Sequence, residues 1–184
     1  MVGARLRLKH RLTEGQTEYL KAKAPGPVKM TVPSPNQFPA ICYQDGVTDQ
    51  FYHTRSDFLR ELTGFIKAEI QSLLADGVSS IQMDEPRYSY YLDPARRDHL
   101  RGLDVDPDKA FEEAVAAGND CLPDARRAGV TVAMHICRGN NQSKWYADSS
   151  ANQRAGAGRR PLMPEIASPM RLENTANKGY NVDH

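Results

Sequence analysis

The chain has 184 residues, which is enough for one domain with a sizeable core. Its formal net charge is +1, with 40% hydrophobic and 26% charged residues. That composition is of the ordinary globular kind and lacks the basic face or stripe expected of a nucleic-acid-binding protein. No apolar run approaches the ~20 residues that cross a bilayer, and the first twelve residues show no signal-peptide pattern. Three scattered cysteines, Cys42, Cys121 and Cys137, do not make a disulfide framework, so a cytoplasmic setting is expected.

In chain order, Arg5 to Arg11 alternates polar and apolar residues around Leu6 and Leu8, which predicts a strand. Thr13 is placed to cap a helix running from Glu14 to about Ala24, stopped by Pro25-Gly26-Pro27. Residues 28–32 read as a short strand that ends in Pro33-Ser34-Pro35-Asn36, followed by a long loop carrying Cys42. Thr54 or Ser56 caps the next helix, whose apolar positions Phe58, Leu59, Leu62, Ile66, Ile70 and Leu73 recur every three or four residues. Gly77 closes that helix. Residues 78–83 form a second strand, ended by Asp84-Glu85-Pro86. Another helix opens near Pro107, and Pro123 is expected to kink or split it. Residues 130–134 form a further strand, ended by His135-Ile136-Cys137.

Alternating strands and helices imply βαβ units and a parallel sheet. The fold expected is therefore α/β, with residues 1–146 as one domain. From Ala147 the periodic pattern gives way to Ser, Asn, Gly and Arg-rich sequence, and residues 147–184 are expected to be an irregular or disordered tail.

Ligands in parallel α/β folds bind beyond the carboxyl ends of the strands. Three strands here end in polar, constrained sequence that would open on one face. His135 and Cys137 are two residues apart, so strand geometry puts both side chains on one side. Imidazole and thiolate together suit Zn²⁺, although zinc takes three or four protein ligands. The plain alternative is one buried cysteine and one hydrogen-bonded histidine. Asp84 and Glu85 are adjacent and point to opposite faces; Asp84 keeps the strand phase and is the candidate to face the site, a solvated turn being the alternative. Cys42 is expected to be a free loop thiol, Cys121 a core residue, and His10, His53, His99 and His184 surface or loop residues. Arg87, Tyr88, Tyr90 and Tyr91 are candidates to line a pocket, and Asn140, Asn141, Trp145 and Tyr146 to cover it.

Three segments carry a likeness to a known family: Pro27-Val28-Lys29-Met30-Thr31-Val32-Pro33-Ser34-Pro35, Ile81-Gln82-Met83-Asp84-Glu85-Pro86 and Met134-His135-Ile136-Cys137. In order and approximate spacing they resemble the catalytic-domain motifs of the cobalamin-independent methionine synthases, most closely its shorter, single-domain relatives. The likeness runs from about Arg5 to Tyr146. It implies a TIM-type (β/α)₈ barrel that transfers a methyl group from a methyltetrahydrofolate-like donor to a homocysteine-like thiol, as in methionine biosynthesis. It also implies Zn²⁺ as cofactor, His135 and Cys137 as metal ligands, and Asp84 as the residue that holds the substrate's amino group.

The sequence departs from that family in three ways. A (β/α)₈ barrel takes ~250 residues, whereas four candidate strands here amount to about half of one. No cysteine follows Cys137, and Glu165 and Glu173 lie in the unmatched tail. Two further expectations follow. One is an inactive, truncated piece of such a barrel, associating through exposed sheet edges. The other is a related barrel that acts on a different thiol.

Overall fold

A computed structural model describes residues 1–140, 142 and 144–147. Helix α1 spans Glu14–Lys23, strand β1 Lys29–Pro33, and the short helix α2 Pro39–Cys42. The long helix α3 covers Arg55–Ala75 and strand β2 covers Ser80–Asp84. Helices α4 (Pro94–Arg101), α5 (Pro107–Cys121) and α6 (Pro123–Arg127) precede strand β3 (Thr131–His135). Among the described residues the strands form one three-stranded sheet in the order β1-β2-β3, both pairings parallel. This is α/β architecture with parallel strands joined by helical crossovers. The described residues do not close it into a barrel.

The segment from Arg5 to Leu12 is a correction, because it joins no strand. It lies along α3 and is held there by side chains. Leu6 N donates to Tyr52 Oη at 2.8 Å, Arg11 pairs with Asp76 at 2.7 Å, and Leu12 N donates to Glu69 at 2.9 Å. Thr13 precedes α1 but makes no side-chain cap bond; its hydroxyl donates to the buried Glu69 at 2.6 Å instead.

The other boundaries follow from helix-end chemistry. Thr54 and Asp57 form a reciprocal capping box at the start of α3. At its other end Gly77 adopts φ +76°, and Val78 N donates to Leu73 O at 3.1 Å. This is a Schellman closure, and it occupies Val78, so β2 starts two residues later than the apolar run suggests. The same device recurs after α6. There Gly129 has φ +71° and Val130 N donates to Ala125 O at 3.2 Å, which delays β3 to Thr131. Pro123 does split the helical pattern, since α5 ends at Cys121 and α6 begins on the proline.

The core lies between the sheet and α3, α5 and α6. Met30, Val32, Ile81 and Met83 point from the sheet toward Ile66, Ile70 and Leu73 of α3 and toward Cys121 and Leu122. Each of these side chains is at most 3% exposed. Full burial is worth about 1.5–3 kcal/mol per large aliphatic side chain, so this layer carries much of the fold. The opposite face carries Lys29, Thr31, Gln82, Asp84, Ala133 and His135 and is more exposed. A smaller cluster of Tyr88, Phe111 and Ala114 packs under Met134 and Ile136 near the carboxyl end of β3. Of the residues expected in the tail, only Ala147 is described; the rest of that segment lies outside the described residues.

Candidate active site at the strand ends

The parallel register aligns Pro33, Asp84 and His135 in one row at the carboxyl ends of the three strands. The ladder continues one step further, with Ser34 N donating to Asp84 O at 2.9 Å and Glu85 N donating to His135 O at 2.9 Å. Every polar group described next therefore hangs from a fixed backbone.

On the exposed face Asp84 and His135 meet. Asp84 Oδ1 lies 3.1 Å from His135 Nδ1 and accepts from Gln82 Nε2 at 2.7 Å. Both side chains are about one-third to two-fifths exposed. A carboxylate on Nδ1 favours the tautomer with the proton there, which leaves Nε2 with a free lone pair. Cys137 follows two residues beyond His135 and is half-buried; its Sγ accepts from Gly139 N at 3.3 Å. The pairing of Asp84 with His135 was not foreseen from the sequence, which assigned the two residues to separate tasks.

Imidazole nitrogen and thiolate sulfur are zinc donors, so His135 and Cys137 fit that ion in kind. They do not complete a set. Among the described residues no group of three or more His, Cys, Asp or Glu side chains is arranged to hold a metal ion. Cys121 is 1% exposed, on the core side of α5, and burial pushes its thiol up to about 12. Cys42 is not a loop thiol: it ends α2 and packs against the cluster of Tyr52, Phe58 and Leu62.

On the other side of β2 lies a group that sequence inspection passed over. Glu85 is wholly buried. Ser34 Oγ donates to one of its oxygens and Asn36 Nδ2 to the other, the latter at 3.3 Å. Tyr91 Oη in turn donates to Asn36 Oδ1 at 3.0 Å. Burial pushes the Glu85 carboxyl up to about 7, against the hydrogen bonds from Ser34, Asn36 and the Arg87 backbone and against the Arg87 charge. Burial likewise raises Tyr91 to about 12, helped by the charge of Glu85. This network ties the Pro33–Asn36 turn to the ends of β2 and β3. A sequence signal for it existed: Ile81, Met83 and Glu85 share one strand phase, and that phase is the helix-covered face.

Beyond β2, the segment Pro86–Leu92 forms a 3₁₀ helix. Within it Tyr88 is buried against Phe111, with ring centroids 5.3 Å apart, and Tyr91 is mostly buried against the same ring. Arg87 and Tyr90 stay at the rim. After β3, Trp145 is 63% exposed and Tyr146 37% exposed. Asn141 lies outside the described residues.

Strand ends carrying a carboxylate–histidine pair and a nearby thiol, on a parallel sheet backed by helices, define the class as an α/β protein with its candidate site in the usual place. The comparisons with known proteins agree at that level. No family model matches the chain. It is similar to a B12-independent methionine synthase from Shewanella sp. W3-18-1, solved in complex with selenomethionine. That likeness has a TM-score of 0.54 at 17% sequence identity and covers 89% of this chain and 41% of that one. It shows a shared fold, related to the expected barrel. Two uncharacterized proteins of Bacillus subtilis (strain 168) are similar in sequence: YxjH, 28% identical over 119 residues, and YxjG, 29% identical over 121. Each alignment takes in 65% of this chain, but the chain spans less than a third of the length of these curated relatives. Among the described residues, no helix is long and apolar enough to cross a membrane.

Proposed function

We propose that this chain forms part of a zinc-dependent, thiol-methylating barrel of the methionine synthase type, with His135 and Cys137 as two of the metal ligands. The observation that carries the proposal is the Asp84–His135 contact at the end of adjacent parallel strands, with Cys137 two residues on. A carboxylate on the far nitrogen of a histidine is the usual outer partner of a metal-ligating imidazole, fixing its tautomer and ring orientation. Asp84 Oδ2 has no hydrogen-bond partner among the described residues and is the oxygen available to a substrate ammonium group, a charge-assisted contact. The acceptor proposed is a homocysteine-like thiol and the donor a methyltetrahydrofolate-like compound.

When bound, zinc would keep such a thiol deprotonated near neutral pH, where a free thiol of pKa ~8.5 is mostly protonated. The chain's own contribution is orientation. Asp84 holds the imidazole, Gly139 N donates to the Cys137 sulfur, and the Glu85 network fixes the strand ends beneath them. The related alternative of a barrel acting on another thiol uses the same residues.

A second reading, that the isolated chain is catalytically inactive, is favoured by one observation: among the described residues, His135 and Cys137 meet no third ligand. Zinc content after equilibrium dialysis, with methionine formation from a methyltetrahydrofolate measured alongside, tests both. The expected result is weak zinc binding that His135→Ala and Cys137→Ser each abolish, with little or no methyl transfer. Zinc retention unchanged in both variants would overturn the metal assignment. Tight stoichiometric zinc with robust turnover would overturn the inactive reading.

A further inference from the structure

The rim above β2 and β3 is built from three arginines and three aromatic rings. Arg87 opens the 3₁₀ helix after β2, Arg96 sits in the first turn of α4, and Arg138 follows β3. The Arg87 and Arg96 guanidiniums both lie over the ring of Tyr90, 5.4 and 4.9 Å from its centroid. Arg138 stacks on Trp145 at 4.1 Å. Like charges gathered on one surface repel unless an anion sits among them.

Several other arginines are paired with carboxylates: Arg97, one residue from Arg96, is held by both oxygens of Asp108 at 3.0 and 2.7 Å. Among the described residues no carboxylate forms an ion pair with Arg87, Arg96 or Arg138. The nearest acids in sequence are engaged. Glu85 is buried in its network, where the Arg87 charge acts on it without forming an ion pair, Asp84 contacts His135, and Asp93 caps α4 through Arg96 N at 3.1 Å. Arg87 Nε is buried and has no hydrogen-bond partner among the described residues.

The rim is also held in place. Arg96 Nε donates to Tyr146 O at 2.8 Å, and Tyr146 N and Ala147 N both donate to Arg138 O, at 2.9 and 3.3 Å. Tyr146 packs so closely on Gly139 that a Cβ there would fall 2.5 Å from the ring, and Gly139 has φ +71°. Tyr146 is thus tied both to α4 and to Arg138, and its neighbour Trp145 is exposed.

We propose that this rim is a binding site for a small polyanion, its phosphate or carboxylate groups taken by Arg87, Arg96 and Arg138 and its flat part by the exposed face of Trp145. A guanidinium stacked on a ring can still offer its terminal N–H groups to such oxyanions; Arg96 Nε is already used on Tyr146 O. Arg138 directly follows Cys137, whereas Arg87 and Arg96 lie on other elements, and the anion contacts proposed need no bound metal.

Trp145 is the sole tryptophan of the chain, so its fluorescence reports on this site alone. The experiment titrates the full chain with tripolyphosphate and with citrate, against sodium chloride at matched ionic strength. A saturable change with either anion, absent with chloride, is expected, and whichever anion saturates at lower concentration identifies the group preferred. Removing one charged donor should weaken binding roughly tenfold or more, so Arg87→Gln and Arg138→Gln should each do so by calorimetry. Arg126→Gln, on the exposed side of α6, should bind as wild type. If Arg87→Gln fails to fold by circular dichroism, Arg96→Gln carries the same comparison. A response reproduced by chloride, or equal affinity in the arginine variants and wild type, would overturn the proposal.

Discussion

Replacing Glu85 by Gln keeps the shape of the side chain and removes its ability to ionise. In the native fold Glu85 is wholly buried and its carboxyl is pushed up from 4.5 to about 7 by burial. The folded chain therefore holds a proton that the unfolded chain releases between those two values. Stability from this group is fully present below pH 4.5 and is lost as pH rises through 7. At 1.36 kcal/mol per pKa unit the loss by pH 8 is about 3 kcal/mol, a large share of the 5–15 kcal/mol that holds a typical domain. Glutamine can accept from Asn36 and donate to Ser34, so the network survives the change. Urea unfolding at pH 5 and pH 8 checks the reasoning. Wild type should lose stability across that range relative to Glu85→Gln, with the midpoint difference moving by ~1–2 M at a slope of 1–3 kcal/mol per molar. A variant equally destabilised at both pH values would refute it and show that the carboxylate is ionised and well paired throughout.

Two further predictions rest on packing. Ile70→Ala on α3 removes a side chain with no exposed surface from the middle of the main core and should cost about 2–5 kcal/mol, read from the shift in urea midpoint; a cost under 1 kcal/mol would mean that the helix does not seat on the sheet as described. Cys121, buried and with its thiol raised to about 12, should resist alkylation by iodoacetamide at pH 8 until the chain unfolds, whereas half-buried Cys42 and Cys137 react first in peptide mapping; early labelling of Cys121 would contradict the placement of α5.

The parts of this fold that follow a simple period were legible in the residues. The apolar stripe of α3, the strands at β1, β2 and β3 and the break at Pro123 all appear in the structure, with shifts of a residue or two at the ends. Those shifts have a local cause in the Schellman closures at Gly77 and Gly129, which take Val78 and Val130 out of the strands. The stretch from Arg5 to Leu12 had strand-like alternation, but its partners are side chains of α3 and Tyr52, which period two does not reveal. Helix α4 was missed because Pro94 to Arg101 carries no apolar stripe; only Asp93 and Pro94 mark its start. At the site, Asp84 and His135 were singled out, but their contact depends on register between strands 51 residues apart. Glu85 was set aside as the residue facing away, and facing away placed it in the buried network.

The most direct test of the metal assignment is spectroscopic. Cobalt(II) takes the place of zinc at tetrahedral sites and reports a bound thiolate by an intense sulfur-to-metal charge-transfer band in the near ultraviolet. Titrating the chain with cobalt should produce that band, weakly held because only His135 and Cys137 are supplied among the described residues. It should vanish in Cys137→Ser and weaken strongly in His135→Ala. No band in wild type, or a band that survives Cys137→Ser, would contradict the assignment of these two residues to a metal.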